Sequence, residues 1–286
     1  AGGTLGILIP PSINMIVYAV LTNTSVPQLY LAGILPGLLL ALGFSAIVLL
    51  ACVMRPGWGG QRLATPLREC VAALVHLVPP LGVFLVVVGS IYAGIATATE
   101  AASLGVMMGL LLAWWSKALS WVMLREALLG TMKSTGMIML IVVAAYFLNF
   151  VMSSIGLTTR LTDAIQGLGL GKWEMLFAVI VFYVVLGCFM ETLSMMITTV
   201  PVIAPVMQAL GFDMVWFGIV VIVLVETALI TPPVGLNLFV VHNLRRQGPM
   251  HDVIIGSLPF VAALFVLLLL LALFPGLALW LPSLFS

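Results

Sequence analysis

The chain has 286 residues, of which 63% are hydrophobic and 7% charged, and its mean hydropathy is +1.31. Soluble domains carry about 25% charged residues, so this composition excludes a water-soluble globular protein and points to a multi-pass protein of the lipid bilayer. The net charge of +1 gives no basis for nucleic-acid binding.

The first stretch, "GGTLGILIPPSINMIVYAV", is apolar enough to enter a membrane but carries Pro10 and Pro11 at its middle. Proline removes a backbone donor and clashes with the preceding turn, so this element is predicted to be a broken helix. Apolar runs at Leu29–Met54, Leu77–Gly94, Ala101–Trp115 and Met137–Ser153 follow as candidate spans of about 20 residues. Between them, residues 62–76 and 116–133 are mixed in polarity. With Trp114, Trp115 and Trp121 nearby, they are expected to be amphipathic helices on the membrane surface, or loops. Glu100, with Thr97 and Thr99, reads as an N-cap cluster opening the next helix.

Leu176–Leu210 is apolar but interrupted by "METLS" at Met190–Ser194. Its two arms are too short to span comfortably, which favours a re-entrant hairpin over two tilted helices. Glu191, Thr192 and Ser194 then lie at the tip, where the hydroxyls either cap the helix or help to complete a sodium shell. Val215–Val241 holds a second proline pair, Pro232 and Pro233, and Leu258–Phe274 is the last predicted span. Glu226, just before that second break, is expected to be a buried carboxyl accepting from freed backbone donors, with direct ion ligation as the alternative.

Charge sets an orientation. Arg55, Arg62, Arg68, Lys117, Arg125, Lys133, Arg245 and Arg246 fall on one face, and only Arg160 and Lys172 fall on the other. The positive-inside rule places the eight in the cytoplasm and the C-terminus in the periplasm.

The two proline pairs belong to a repeat. A shift of 222 positions puts Pro10 on Pro232, Pro11 on Pro233, Gly6 on Ala228 and Ile9 on Thr231; one insertion later, Gly33 and Pro36 meet Gly256 and Pro259. In the assigned orientation the two units are inverted. Inverted repeats with discontinuous helices are the architecture of secondary transporters, whose freed carbonyls suit a hard cation. No catalytic constellation, ATP-binding loop or transition-metal spacing is present. Cys52, Cys70 and Cys188 and the 16 methionines read as packing residues, and His76, His242 and His251 are scattered near predicted membrane edges.

These motifs, with "ATATEAAS", "FMETLSMMITTVPVIAPVMQALGF" and "ALITPPVGLNLFVV", resemble the large membrane subunit of tripartite ATP-independent periplasmic (TRAP) transporters, over essentially all 286 residues. The resemblance corresponds to the C-terminal part of that subunit, without the first hairpin. It implies an all-α polytopic fold of the ion transporter superfamily type, working as an elevator in the bacterial inner membrane. It also implies sodium-driven import of an organic acid, of the C4-dicarboxylate, keto acid or sialic acid type. The partners would be a small membrane subunit and a periplasmic substrate-binding protein, with Na+ as coupling ion and no organic cofactor. The sodium sites carried over are Gly6, Ile9 and Pro11 in the first unit, and Ala228, Thr231 and Pro233 in the second, with Thr192 and Ser194 at the hairpin. Glycine is usual in the family where Ala228 stands, and Asp-Ser is common where "ETLS" stands. The matching division is 1–28 for the first broken helix, 29–175 for scaffold and connecting spans, 176–241 for the second transport unit, and 242–286 for a cytoplasmic loop and the last span. The alternative is a stand-alone sodium- or proton-coupled carboxylate carrier.

Overall fold

The computed structural model describes residues 2–55, 66, 69, 74–156, 160, 171–232, 235–245 and 248–285, and no strand occurs among them. Among the described residues, seven helical segments are long and apolar enough to cross a membrane. The helices fall into two units, Ala1–Leu50 with Ile141–Ser286, and Ala51–Leu140.

The first unit opens with a 3-10 turn at Gly2–Thr4, then α1 (Leu5–Leu8), the break at Ile9–Ser12, and α2 (Ile13–Thr22). Asn23, in the left-handed region at φ 53°, closes α2. α3 (Val26–Met54) follows, with Pro36 inside it. The second unit contains α4 (Val78–Tyr92) and α5 (Ala98–Trp115), which pack together with Gly105 against Val87. Glu100 behaves as the sequence predicts: Thr97 is the N-cap of α5, and the two residues form a reciprocal capping box.

α6 (Trp121–Ser154) corrects one expectation. Residues 121–133 form no separate surface helix and run straight into the span. The stretch "LREALLGTMK" contains good helix formers and no proline, so nothing separates it from the apolar segment that follows. Residues 62–65, within the other proposed surface helix, lie outside the described residues, as do Arg62, Arg68, Cys70 and Arg246.

The stretch expected to fold back at "METLS" forms two helices, α7 (Lys172–Gly187) and α8 (Thr192–Ala209), joined by residues 188–191, and α8 is itself of spanning length. The two arms run antiparallel. Tyr183 and Thr199 are buried and their hydroxyls meet at 2.7 Å; Thr199 in turn donates to the Met195 carbonyl. At the open end Lys172 donates to the Gly211 carbonyl at 2.7 Å and lies over the Phe212 ring.

α9 (Met214–Ile230) is the centre of this unit. Its side chains are apolar almost all round, and nearly all are buried, as expected of a helix enclosed by protein. α1, α2, α7 and α8 pack on it, as do α10 (Leu236–Arg245), α11 (Met250–Leu273) and α12 (Gly276–Leu284). α12 had no counterpart among the predicted spans; Phe274 and Pro275 separate it from α11.

Gly33 sets the approach of α3 to the first break. A Cβ there would lie 2.7 Å from the Leu8 carbonyl oxygen and would also meet the Met15 methyl. Gly33→Val is therefore expected to cost about 1–3 kcal/mol, read as a lower thermal midpoint of the purified protein. An unchanged midpoint would show that this contact is relaxed.

Candidate functional site

Four residues after an open helical carbonyl there is normally an N–H to receive. At Gly6 that position is Pro10, and at Ala228 it is Pro232. Proline has no N–H, so the helical partner of both carbonyls is removed by the same chemistry. Ile7 and Leu229 lose theirs to Pro11 and Pro233 in the same way. The Ser12 hydroxyl compensates Ile7 by donating to its carbonyl.

The backbone repeats as closely as the proline spacing. Ile9 ends α1 at φ −85°, ψ 124°, and Thr231 ends α9 at φ −86°, ψ 129°. The side chains at these positions share nothing but β-branching. What the two breaks have in common is therefore main-chain shape. They are also antiparallel: Thr4 meets Glu226, while Tyr18, further along the first element, reaches back to the Met214 carbonyl at 2.8 Å and packs on Gly218.

The hairpin tip closes on the second break. A Cβ at Gly187 would meet the Ala228 methyl, and the Cys188 thiol lies 3.7 Å from the Pro232 carbonyl. Ala228, 2% exposed, is thus held between the hairpin and its own helix end. Thr192 and Ser194 stand at the start of α8, where Glu191 is the N-cap. Its carboxylate accepts from the Leu193 and Ser194 N–H groups, each at 3.1 Å, and from both hydroxyls. Capping is therefore established for Glu191, and the hydroxyl oxygens keep lone pairs that can accept or coordinate. The Thr231 hydroxyl turns back on its own helix and donates to the Thr227 carbonyl at 2.6 Å. The Thr231 carbonyl accepts from Gly235 N–H at 3.2 Å. Pro233 lies outside the described residues. The structure thus brings Ala228, Pro232 and the hairpin tip together, and places Gly6, Ile9 and Pro11 at the equivalent break.

Glu226 departs from expectation. It is fully buried, but its Oε1 accepts from the Thr4 hydroxyl at 2.6 Å rather than from backbone donors, and its other oxygen has no partner among the described residues. α9 is still helical at residue 226, so the second break frees no N–H within α9 at that point. Asn14, at the start of α2, is also buried, and its amide nitrogen has no partner among the described residues. Beside the second break, a cavity of about 820 Å3 is lined mainly by apolar groups, among them Leu5, Ile230, Phe44 and Phe260, with Asn237 and Ser257.

Residues 1–277 match the family described as the DctM component of tripartite ATP-independent periplasmic transporters. The chain belongs to that family. It is 34% identical over 282 residues to the C4-dicarboxylate TRAP transporter large permease protein of Pseudomonas aeruginosa, covering 98% of this chain and 65% of that protein. It is 32% identical over 303 residues to the C4-dicarboxylate large permease of Vibrio cholerae, covering 99% of this chain and 66% of the relative. A third relative, the sialic acid large permease of Vibrio cholerae, is 31% identical over 291 residues, covering 98% and 65%. The chain thus spans 65% of the length of the first of these relatives. Membership of the DctM family, with seven apolar helices of spanning length, makes this a multi-pass protein of the bacterial inner membrane.

Proposed function

We propose that this DctM-family chain forms the transport core of a sodium-driven importer of an organic acid. A periplasmic binding protein delivers the acid, and a small membrane subunit completes the transporter. The observation that carries this reading is the pair of antiparallel breaks with one backbone shape and equivalent proline-orphaned carbonyls at Gly6 and Ala228. Carbonyl oxygens suit a hard cation such as sodium, and helix C-terminal ends carry partial negative charge. In the second unit the oxygens of Ala228 and Thr231 hold the ion, with Pro233 shaping the break and Thr192 and Ser194 supplying hydroxyls. In the first unit Gly6 and Ile9 hold it, and Pro11 shapes the break. The relatives' names support an organic-acid substrate, C4-dicarboxylate or sialic acid in type.

In the same reading residues 1–28 and 176–241 form the moving transport units of an elevator. Residues 29–175 are mainly scaffold, and 242–286 carry a cytoplasmic loop and the last span. Reconstituted with its partners, the intact permease is expected to take up substrate only down an inward sodium gradient. Uptake unchanged when choline replaces sodium would end the sodium reading. The charge distribution further places the Lys117 turn in the cytoplasm and the Asn23 turn and C-terminus in the periplasm. Cysteines introduced at Asn23 and Ser283 should react with an impermeant reagent from the periplasm, and one at Ala118 should not. The reverse pattern would overturn the topology.

A further inference from the structure

Thr4 and Glu226 are 222 positions apart, the same offset that carries Pro10 onto Pro232. They are therefore equivalent positions of the two inverted units. They also touch, at 2.6 Å, with Thr4 2% and Glu226 0% exposed. Two equivalent points of a two-fold object can meet only at its axis. The local two-fold relating the breaks must pass between this hydroxyl and this carboxylate.

The placement has a second property. Thr4 stands two residues before Gly6, and Glu226 stands two residues before Ala228. These are the two residues whose carbonyls lose their helical partner to Pro10 and Pro232. The hydrogen bond therefore ties the two helix ends together immediately beside both orphaned carbonyls. We propose that the Thr4–Glu226 pair is a clamp on the local two-fold axis, one contact that fixes the position of both cation-binding breaks at once. Glu226 is then a positioning residue rather than an ion ligand. The carboxylate is needed on one side only, since two carboxylates meeting at the axis would repel and two hydroxyls would make a weaker bond. This explains why positions related by symmetry hold unlike residues. The inference rests on the transport reading for its ion-binding consequence, but not for the pairing itself.

Sodium titration of uptake by the full-length permease with its partners tests the consequence. Thr4→Val and Glu226→Leu should each raise the half-saturating sodium concentration up to about tenfold, the scale of one buried hydrogen bond, at a maximal rate close to that of the parent. Glu226→Gln keeps an acceptor for Thr4 and should stay within about threefold of the parent. The decisive variant is the exchange, Thr4→Glu together with Glu226→Thr. If the axis passes between them, the exchanged pair rebuilds the same bond from the opposite helix. Sodium dependence should then return to within about threefold of the parent, whereas Glu226→Thr alone stays impaired.

Thermal unfolding of the purified protein in detergent gives the same comparison without transport. Both single variants should melt lower and the exchange should recover the parent midpoint. An exchange that melts no higher than Glu226→Thr alone overturns the clamp. Single variants that melt lower but keep parental sodium dependence overturn its positioning role and leave a packing contact. A parent protein without sodium-dependent uptake overturns the transport reading instead, and the melting comparison still decides the pairing.

Discussion

Gly187→Leu is expected to abolish uptake while the protein still inserts in the membrane. The end of α7 lies so close to α9 that even a methyl group at residue 187 would meet the Ala228 methyl, and its nearest backbone neighbour, the Ala228 Cα, would be 3.0 Å away. Neither helix can yield locally, because α9 is enclosed by other helices and the hairpin arms are tied by Tyr183 and Thr199. A larger side chain must lift the hairpin tip away from the second break. Overpacking of this kind costs about 1–3 kcal/mol or more, and here the displacement falls on the break proposed to hold the ion. Gly187→Ala should lose part of the activity, and adding Ala228→Gly should restore it by returning the missing space. Uptake by Gly187→Leu at the parental rate, measured at matched membrane expression, would show that the tip does not need this contact.

A second large effect is expected at Gly235. A Cβ there would stand 2.9 Å from the Thr231 oxygen and 3.0 Å from the Leu229 oxygen, both of them backbone atoms of the second break. Gly235→Val should push these carbonyls apart and raise the half-saturating sodium concentration more than about tenfold, a loss of over 1.4 kcal/mol. Thr231→Val keeps the volume and removes a hydroxyl that is already committed to the Thr227 carbonyl. It should change sodium dependence by less than about threefold, the scale of a local side-chain hydrogen bond. A site built on the hydroxyl gives the opposite ranking, so one pair of titrations separates main-chain from side-chain coordination.

Much of this site was legible because proline acts locally. The loss of an N–H at Pro10 and Pro232 needs no tertiary information, and the matched extended angles at Ile9 and Thr231 follow from the clash of each proline ring with the residue before it. The break between α7 and α8 was legible for a similar reason: "METLS" is a polar interruption between two apolar arms. The partner of Glu226 was not legible from its surroundings. Thr4 is a neutral hydroxyl in an apolar run, and the contact between them closes a loop of 222 residues. The signal was nonetheless present, because the shift that aligned the prolines also aligns Thr4 with Glu226. α6 was divided wrongly because mixed polarity was taken for a surface position, whereas polarity reports surroundings and not helix continuity. The Gly187–Ala228 contact is a matter of shape between two small residues, and composition carries no trace of it.

The enclosure of α9 has a consequence for how the chain is made. Its neighbours include α1, near one end of the chain, and α12, near the other. At translation rates of 5–20 residues per second, residue 226 emerges roughly 10–45 s after residue 4. For that interval α1 and α2 are in place without the helix that holds them, and the Thr4 hydroxyl waits for its carboxylate. α9 itself is too short to be a comfortable span and carries a buried glutamate, so it gains little from lipid alone. It must enter a cavity already outlined by earlier helices. α9 therefore joins α1 and α2 before α10, α11 and α12 exist, and those three helices complete its enclosure afterwards. A ribosome stalled before residue 226 should leave a membrane-inserted chain that remains open to proteolysis at its first break.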